Sequence, residues 1–452
     1  VFTRLYRTSA VDLDIGLGRG WSHALAHRLL LEGEQVIWID QENRRTTFPL
    51  PSEQRPAIHN SLARAAIYRG AEPDELIIAQ PGEDAPFLHF RDGHLTALSD
   101  RYANRLTIKR NIHGDISRLD NGAGRALRLR YAQRHLVAID YQSFHPALTL
   151  DDAWRTQQTL VAYRYDARWR LIEATNAAGE SERYDYDDQH VILQRQLAGG
   201  ASFFWEWQGA GRAARCVRHW ASFAQMDSRY TWGEDGQVTV QHLDGSQEVY
   251  VHDERARLVR KVEPDGGEHL KAYDPQGRLI AEQDPLGAVT EYRYDEAGRL
   301  VALIPPDEEP TSYEYRHGFL HARSRGKAVW QYRRNTQGNV IEAIDPHGQS
   351  TGYDYDAQGQ LLAIRYPDGS EHRFTRNQLG QLTEETLPDT GRRCFSYDAL
   401  GRLLTRQDEH GALTHYQWDA VGRLLETTLP GGATRAWHYN AYGKVTAERD
   451  EL

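Results

Sequence analysis

A few clusters of polar residues are the places where this chain could do chemistry. Two carboxylate pairs, Asp12/Asp14 and Asp185/Asp187, have a spacing suited to acid–base work. Asp185 and Asp187 stand two apart, which puts both on one face of a strand. Their place in a repeat explains them without catalysis. The 20 histidines could ligate a metal. No His-x3-His helical pair and no cysteine cluster accompanies them, so a metal site is not expected. Cys216 and Cys394 are the only cysteines, and neither has a motif-placed histidine to activate a thiolate. The run Gly16-Leu17-Gly18-Arg19-Gly20 is glycine-rich but follows no clear strand, and no Walker-type phosphate loop is present. The reading is therefore non-enzymatic, with no catalytic residue, metal or cofactor. Alternating tyrosines at Tyr292/Tyr294, Tyr313/Tyr315 and Tyr353/Tyr355 could stack on sugars or line a protein-binding surface. They could equally support a sheet, at a few tenths to about one kcal/mol per cross-strand pair. Support is the stronger expectation.

The elements that hold these residues are repeats. Tyr273-Asp274 with Gly277-Arg278-Leu279 recurs as Tyr294-Asp295 with Gly298-Arg299-Leu300. It returns as Tyr355-Asp356 with Gly359, Tyr397-Asp398 with Gly401, and Trp418-Asp419 with Gly422. Glycines 359, 380, 401, 422 and 443 are each 21 residues apart. Ala256 stands where the register calls for glycine. A second punctuation falls between these marks, as at Asp284-Pro285-Leu286-Gly287 and Asp345-Pro346-His347-Gly348. Asp, Pro and Gly in that order suit a β-turn. The stretches between turns alternate, as in Thr290-Glu291-Tyr292-Arg293-Tyr294, which predicts strands with one drier and one wetter face. Each unit is then one hairpin. About 20 such strands would make roughly 95 Å of sheet, which must curl or close.

Three segments follow. Residues 1–75 form a leader carrying Leu17, Gly18, Gly20 and Trp21, with a short helix expected near Ser61–Tyr68. Residues 76–230 hold degenerate hairpins, where Trp169 replaces a turn glycine. Residues 231–452 are regular repeats. The net charge of −10 argues against a nucleic-acid binder. No apolar run approaches the ~20 residues of a membrane helix. Two cysteines in 452 residues give no disulfide framework and suit folding in the cytosol. Arginine supplies 49 of the 54 basic residues, which a GC-rich coding sequence would explain. The chain begins at Val1 and its one methionine is Met226, so a processed or excised piece is expected.

The tyrosine–aspartate–x–x–glycine–arginine–leucine units and the leader Leu17-Gly18-Arg19-Gly20-Trp21-Ser22 resemble the Rhs (rearrangement hotspot) family of YD-repeat proteins. The resemblance implies an all-β fold, an antiparallel β-hairpin ribbon spiralling into a hollow shell or β-cocoon. It implies a structural wall that contains and protects a C-terminal toxin before delivery, through type VI secretion. The implied partners are the remainder of the shell, the toxin cargo, secretion spike proteins and a chaperone. Nucleic acid is not among them, and this chain has no membrane span. The implied course is folding in the bacterial cytoplasm, then secretion or delivery to target cells. No family self-cleavage segment is evident in these residues, and the toxin segment is expected to lie outside them. An N-terminal part of a shell is the expectation. The alternative is a YD-repeat surface module binding glycans or a partner protein, as an adhesin or toxin-complex component. A spiral fragment would also expose the edge of its last strand.

Overall fold

The computed structural model describes residues 2–60, 62–82, 84–146 and 153–450. Val1, Ser61 and Leu452, on which parts of the sequence reading fall, lie outside them. The chain forms two compact units. Unit 1 comprises Val1–Asn60, Arg64–Arg215 and Phe374–Leu452, and unit 2 comprises Ser61–Ala63 and Cys216–Arg373. Both are built of short antiparallel strands joined by tight turns, the all-β hairpin ribbon that the alternation predicts.

Unit 1 begins with a two-stranded sheet, Arg4–Tyr6 against Trp21–His23. A meander follows: Arg28–Glu32, Gln35–Ile39 and Arg45–Pro49. A second runs from Ala57–Asn60 through Ala65–Arg69, Glu75–Ala79 and Phe87–Arg91 to His94–Ser99. It returns to the first where His94 pairs with Arg28. The core lies here. Val36, Phe48, Ile67, Ile78 and Leu95 are sealed from solvent, each at an inward position of its strand.

The helix expected near Ser61–Tyr68 is not formed. Its described residues make a turn and the strand Ala65–Arg69. The Ala/Arg-rich composition favours helix locally. The period-two burial of Ala65 and Ile67, with Ile67 opposite Ile58, overrides that preference. Arg64 at φ 51° also breaks any helical path into the segment.

Unit 2 is different in kind. Its strands from Asp227–Trp232 to Leu361–Arg365 pair strictly in sequence order. Val240, Gly338, Asn339 and Ala363 are its only buried described residues. One face is half-covered by Thr290, Tyr292 and Tyr294 and their counterparts, and the other carries exposed Glu291 and Arg293. A sheet this thin has no core to hold it, so cohesion must come from neighbouring strands.

The two kinds of punctuation turn out to be one turn. Asp274 N–H donates to Arg278 O at 2.9 Å and Gly277 N–H to Asp274 O at 2.9 Å. The Asp274 carboxylate accepts Arg278 N–H at 2.9 Å. Asp284, Gly287 and Ala288 repeat the pattern at 3.0, 3.0 and 2.9 Å. The fourth residue takes a left-handed backbone, φ 84° at both Gly277 and Gly287. Ala256 is forced into the same state at φ 60°. Its Cβ makes that conformation cost about 1 kcal/mol. Ala256→Gly is therefore expected to stabilise unit 2 by somewhat less than about 1 kcal/mol after glycine's entropy is subtracted. Hydrogen exchange at the strands flanking this turn should show their opening free energy rise; a fall would contradict the turn assignment.

Candidate functional site

Two assemblies gather the residues that the sequence singles out. The first is a ladder along the repeats. At each motif aromatic the strand register slips by one residue, as between Ala272 and Tyr273. Such a bulge disrupts the ladder of backbone bonds. The aromatic of the following repeat reaches back to the site. Tyr273, Tyr294, Tyr355 and Tyr397 donate their hydroxyls to the carbonyls of Leu258, Leu279, Val340 and Leu382 at 2.9, 2.7, 2.9 and 2.7 Å. Trp418 does the same through Nε1 to Leu403 O at 2.7 Å. The motif arginine runs the other way. Arg278 Nε holds its own Asp274 at 2.6 Å, while its guanidinium sits 5.1 Å from the Tyr294 ring of the next repeat. Arg299 treats Asp295 and Tyr315 alike, and Arg423 treats Asp419 and Tyr439 alike. A hydroxyl bond contributes about 1 kcal/mol and a cation–π contact about 0.5–1, so each junction is coupled by about 2 kcal/mol. Lysine lacks the planar fork for both tasks. This arginine role was legible as an Arg-to-Tyr spacing of 16 residues.

The turn carboxyls carry the electrostatic trace of this geometry. Burial alone would raise Asp274, Asp295 and Asp419. The bonds from the arginine backbone and side chain outweigh it and hold all three below the usual carboxylate range.

The second assembly is the leader, locked onto the degenerate hairpins. Trp21, only 7% exposed, donates Nε1–H to the Tyr186 hydroxyl at 2.7 Å, which donates onward to Leu171 O at 2.6 Å. The Trp21 ring meets Tyr184 and Tyr6 edge-on, at 4.9 and 5.5 Å. Tyr6 donates to His190 O at 2.7 Å and accepts Ile192 N–H at 2.9 Å. Burial drives the Tyr6 and Tyr186 hydroxyls far above the ordinary tyrosine value, and Tyr184 is pushed up to about 12 for the same reason. All three therefore act as neutral hydrogen-bonding groups. Leu17 is sealed at 1% exposure.

Gly18 and Gly20 allow the close approach. Both take φ 84°, and a Cβ on Gly18 would lie 2.9 Å from Trp169 O and 3.0 Å from Leu171 N. Those are backbone atoms that cannot rotate away. Gly18→Ala is expected to cost more than about 2 kcal/mol, combining backbone strain with the clash. Gly422→Ala, at φ 87° with nothing within 4 Å, should cost only about 1. Equal losses in the local opening free energies, read by hydrogen exchange around each glycine, would sink the close-packing account.

The candidate chemical groups are placed as follows. Asp14 caps the glycine turn through Gly16 N–H at 2.9 Å and meets His135 Nε2 at 2.9 Å. Asp12 lies 3.5 Å from Arg212. Asp185 bonds the adjacent Tyr186 N–H, whereas Asp187 has left the strand for a turn and caps Gln189 and Val191. The two do not share a strand face, because the strand ends at Tyr186. Cys216 donates its Sγ–H to Arg218 O, and burial raises its thiol. Among the described residues, no three His, Cys, Asp or Glu side chains group as a metal site would require. Trp169, at the glycine position with φ 59°, stacks on His135 at 4.4 Å. Sequence reasoning missed Arg4, Tyr6's two bonds, Tyr184 and Tyr186; for the last two, alternation along Ser181–Tyr186 was the available signal.

The RHS Repeat family profile matches residues 273–310, 334–371, 376–413, 397–434 and 418–452. A domain of unknown function (DUF6531) matches residues 1–48. No curated protein matches. Among solved structures, the crystal structure of TcdB2-TccC3-TEV is 13% identical at a TM-score of 0.47, covering 100% of this chain and 29% of that one. The Photorhabdus luminescens Tc holotoxin pore is 13% identical at a TM-score of 0.41, covering 100% and 30%. The chain thus spans about three-tenths of the length of these structures. The repeat matches fall on hairpins built on these aromatic, aspartate, glycine and arginine contacts, and over the matched residues the chain carries the RHS repeat that marks the Rhs family of YD-repeat proteins.

Proposed function

We propose that this chain is wall: a stretch of an Rhs shell that contains and protects a C-terminal toxin before delivery by type VI secretion. The observation that carries this reading is the nearest-neighbour ladder. It lets a sheet grow by identical junctions without a core, which suits an extended wall better than a compact catalyst. A half-covered face of Tyr, Thr, Glu and Lys would also hold an unfolded cargo without gluing it. Tyr250, Glu248 and Lys261 make such a polar group, with Tyr250 donating to Glu248 at 2.7 Å. The strand Val445–Asp450 is exposed at every residue and pairs only with Thr434–Tyr439 among the described residues. The remainder of the shell would pair with its other edge. The segment itself performs no catalytic step in this reading. It folds in the bacterial cytoplasm, leaves with its cargo, and meets a secretion spike and a chaperone on the way. Glycan binding is the weaker reading, because the second tyrosine of each pair is spent on a backbone carbonyl.

Electron microscopy of the intact protein tests this. A hollow particle with internal density is expected. A solid globule or an open rod would overturn it, and saturable glycan binding lost in Tyr353→Ala would favour the alternative.

A further inference from the structure

The leader sheet has a free edge. Among the described residues Arg4–Tyr6 pairs with Trp21–His23 alone, with Leu5 opposite Ser22. Thr3 O accepts Ala24 N–H at 3.0 Å and Arg7 N–H donates to Gly20 O at 2.9 Å. Residues 3, 5 and 7 therefore face the partner strand, and the backbone N–H and C=O groups of Arg4 and Tyr6 face away from it. No backbone or side-chain partner meets them among the described residues. This edge borders a cavity of about 790 Å³, which Tyr184, Trp205 and Trp207 also line.

The charges around the cavity are uneven. Arg195 forks onto Glu182 at 2.9 Å, and Arg7 pairs with Glu42. Burial would raise Glu182, but the Arg195 fork and the Tyr184 hydroxyl outweigh it and keep the carboxylate ionised. Arg4 has no ion pair among the described residues. Its guanidinium lies 5.2 to 5.7 Å from the rings of Tyr163, Trp21 and Tyr184. Its Nη1 is buried without a hydrogen-bond partner. Unpaired backbone groups and a guanidinium whose Nη1 lacks a partner, with Glu182 and Tyr184 as its polar neighbours, thus meet at one place.

We propose that this edge takes an extended peptide as a third strand of the leader sheet. Main-chain bonds to Arg4 and Tyr6 would hold it, and a carboxylate side chain opposite Arg4 would select it. Strand addition needs a free edge with both donor and acceptor groups and a pocket for alternate side chains. The alternation of a strand puts one acidic side chain beside Arg4 and its apolar neighbours on the other face. A neutral polyol would not need the backbone edge, and a phosphate would not use the aromatic wall. The inference is independent of containment, since the edge belongs to the leader and not to the repeats.

The probe is a blocked pentapeptide of alternating valine and threonine about a central glutamate, added to the intact protein. Residue-resolved hydrogen exchange should slow about tenfold or more at the Arg4 and Tyr6 amides and nowhere in the repeats. The same peptide N-methylated at alternate amides should give no protection. A central lysine in place of glutamate should weaken binding about tenfold or more, because it loses the charge-assisted bond. Arg4→Glu should reverse that preference, with unchanged exchange at Trp21–His23 showing that the leader remains folded. If that variant unfolds the leader, the glutamate-to-lysine comparison on the wild-type protein decides. Absence of saturable protection, or equal protection by the N-methylated peptide, would overturn the proposal.

Discussion

Trp21→Ala is expected to destabilise the leader by about 4 kcal/mol, the range for removing a buried aromatic that cannot be replaced by local collapse. Three losses combine. The ring leaves a void beside Tyr6 and Tyr184. Arg4 loses one of its three aromatic contacts, whose ring lies 5.6 Å away. The Tyr186 hydroxyl loses its donor. Trp21→Phe keeps most of the ring and still leaves Tyr186 bonded to Leu171 O, so about 1–2 kcal/mol is expected. The measurement is the opening free energy of strand Trp21–His23 by hydrogen exchange. A global unfolding midpoint is the wrong readout, because a repeat array does not unfold in one step. A loss under about 1 kcal/mol for Trp21→Ala would mean that the leader is draped on the hairpins and not locked to them.

Acidification is expected to loosen the same region before it touches the repeats. His23 stacks on Phe2 at 4.7 Å, and its Nδ1 accepts Leu25 N–H at 3.2 Å, which requires an unprotonated nitrogen. Burial first, then Arg110 and His27, lower its pKa to about 4. The unfolded imidazole titrates near 6.5. Between those values the unfolded chain binds a proton that the folded one refuses. The contribution of His23 is therefore complete above about pH 6.5 and is lost as pH falls toward about 4, a change of about 3 kcal/mol. His23→Asn keeps an acceptor for Leu25 and should flatten most of that slope. The lowered turn aspartates act later. Their stabilisation is present above the unfolded carboxylate value and is lost as pH falls through it, so the repeats should begin to weaken only below about pH 4. Hydrogen exchange at pH 7, 5 and 4 separates the two regions. Simultaneous loss in leader and repeats, or an unchanged slope in His23→Asn, would contradict this account.

The repeats were legible because their determinants are local. A turn needs aspartate and glycine at fixed places, and a strand needs alternation; both are read within about ten residues. Ala256 and Trp169 could be recognised as glycine substitutes from register alone, and both adopt the glycine backbone. The two classes of turn were in fact legible as one at this pair, since Asp274-Pro275-Gln276-Gly277 and Asp284-Pro285-Leu286-Gly287 share the Asp-Pro-x-Gly order as well as the Asx geometry. The helix expected near Ser61–Tyr68 failed for the opposite reason. Propensity there is local, but the pairing of Ile58 with Ile67 and the sealed position of Ile67 are not. The excess of arginine was read as a coding bias, yet at the repeat junctions Arg278, Arg299 and Arg423 each perform two tasks that need a planar cation.

By itself, the sequence determined the family resemblance, the antiparallel hairpin period and the turn positions. Tertiary structure alone decided what the leader does. Trp21 and Gly18 meet partners about 150 to 165 residues away, and nothing in their own neighbourhood encodes Tyr186 or Trp169 as those partners. The same holds for the free edge of Arg4–Tyr6 and for the neutral state of His23. Turns and alternation follow from the backbone's short-range preferences, which any window of sequence reveals. An unpaired edge, a cavity or a shifted pKa is set by what fails to arrive or what shuts out water, and that depends on the whole fold.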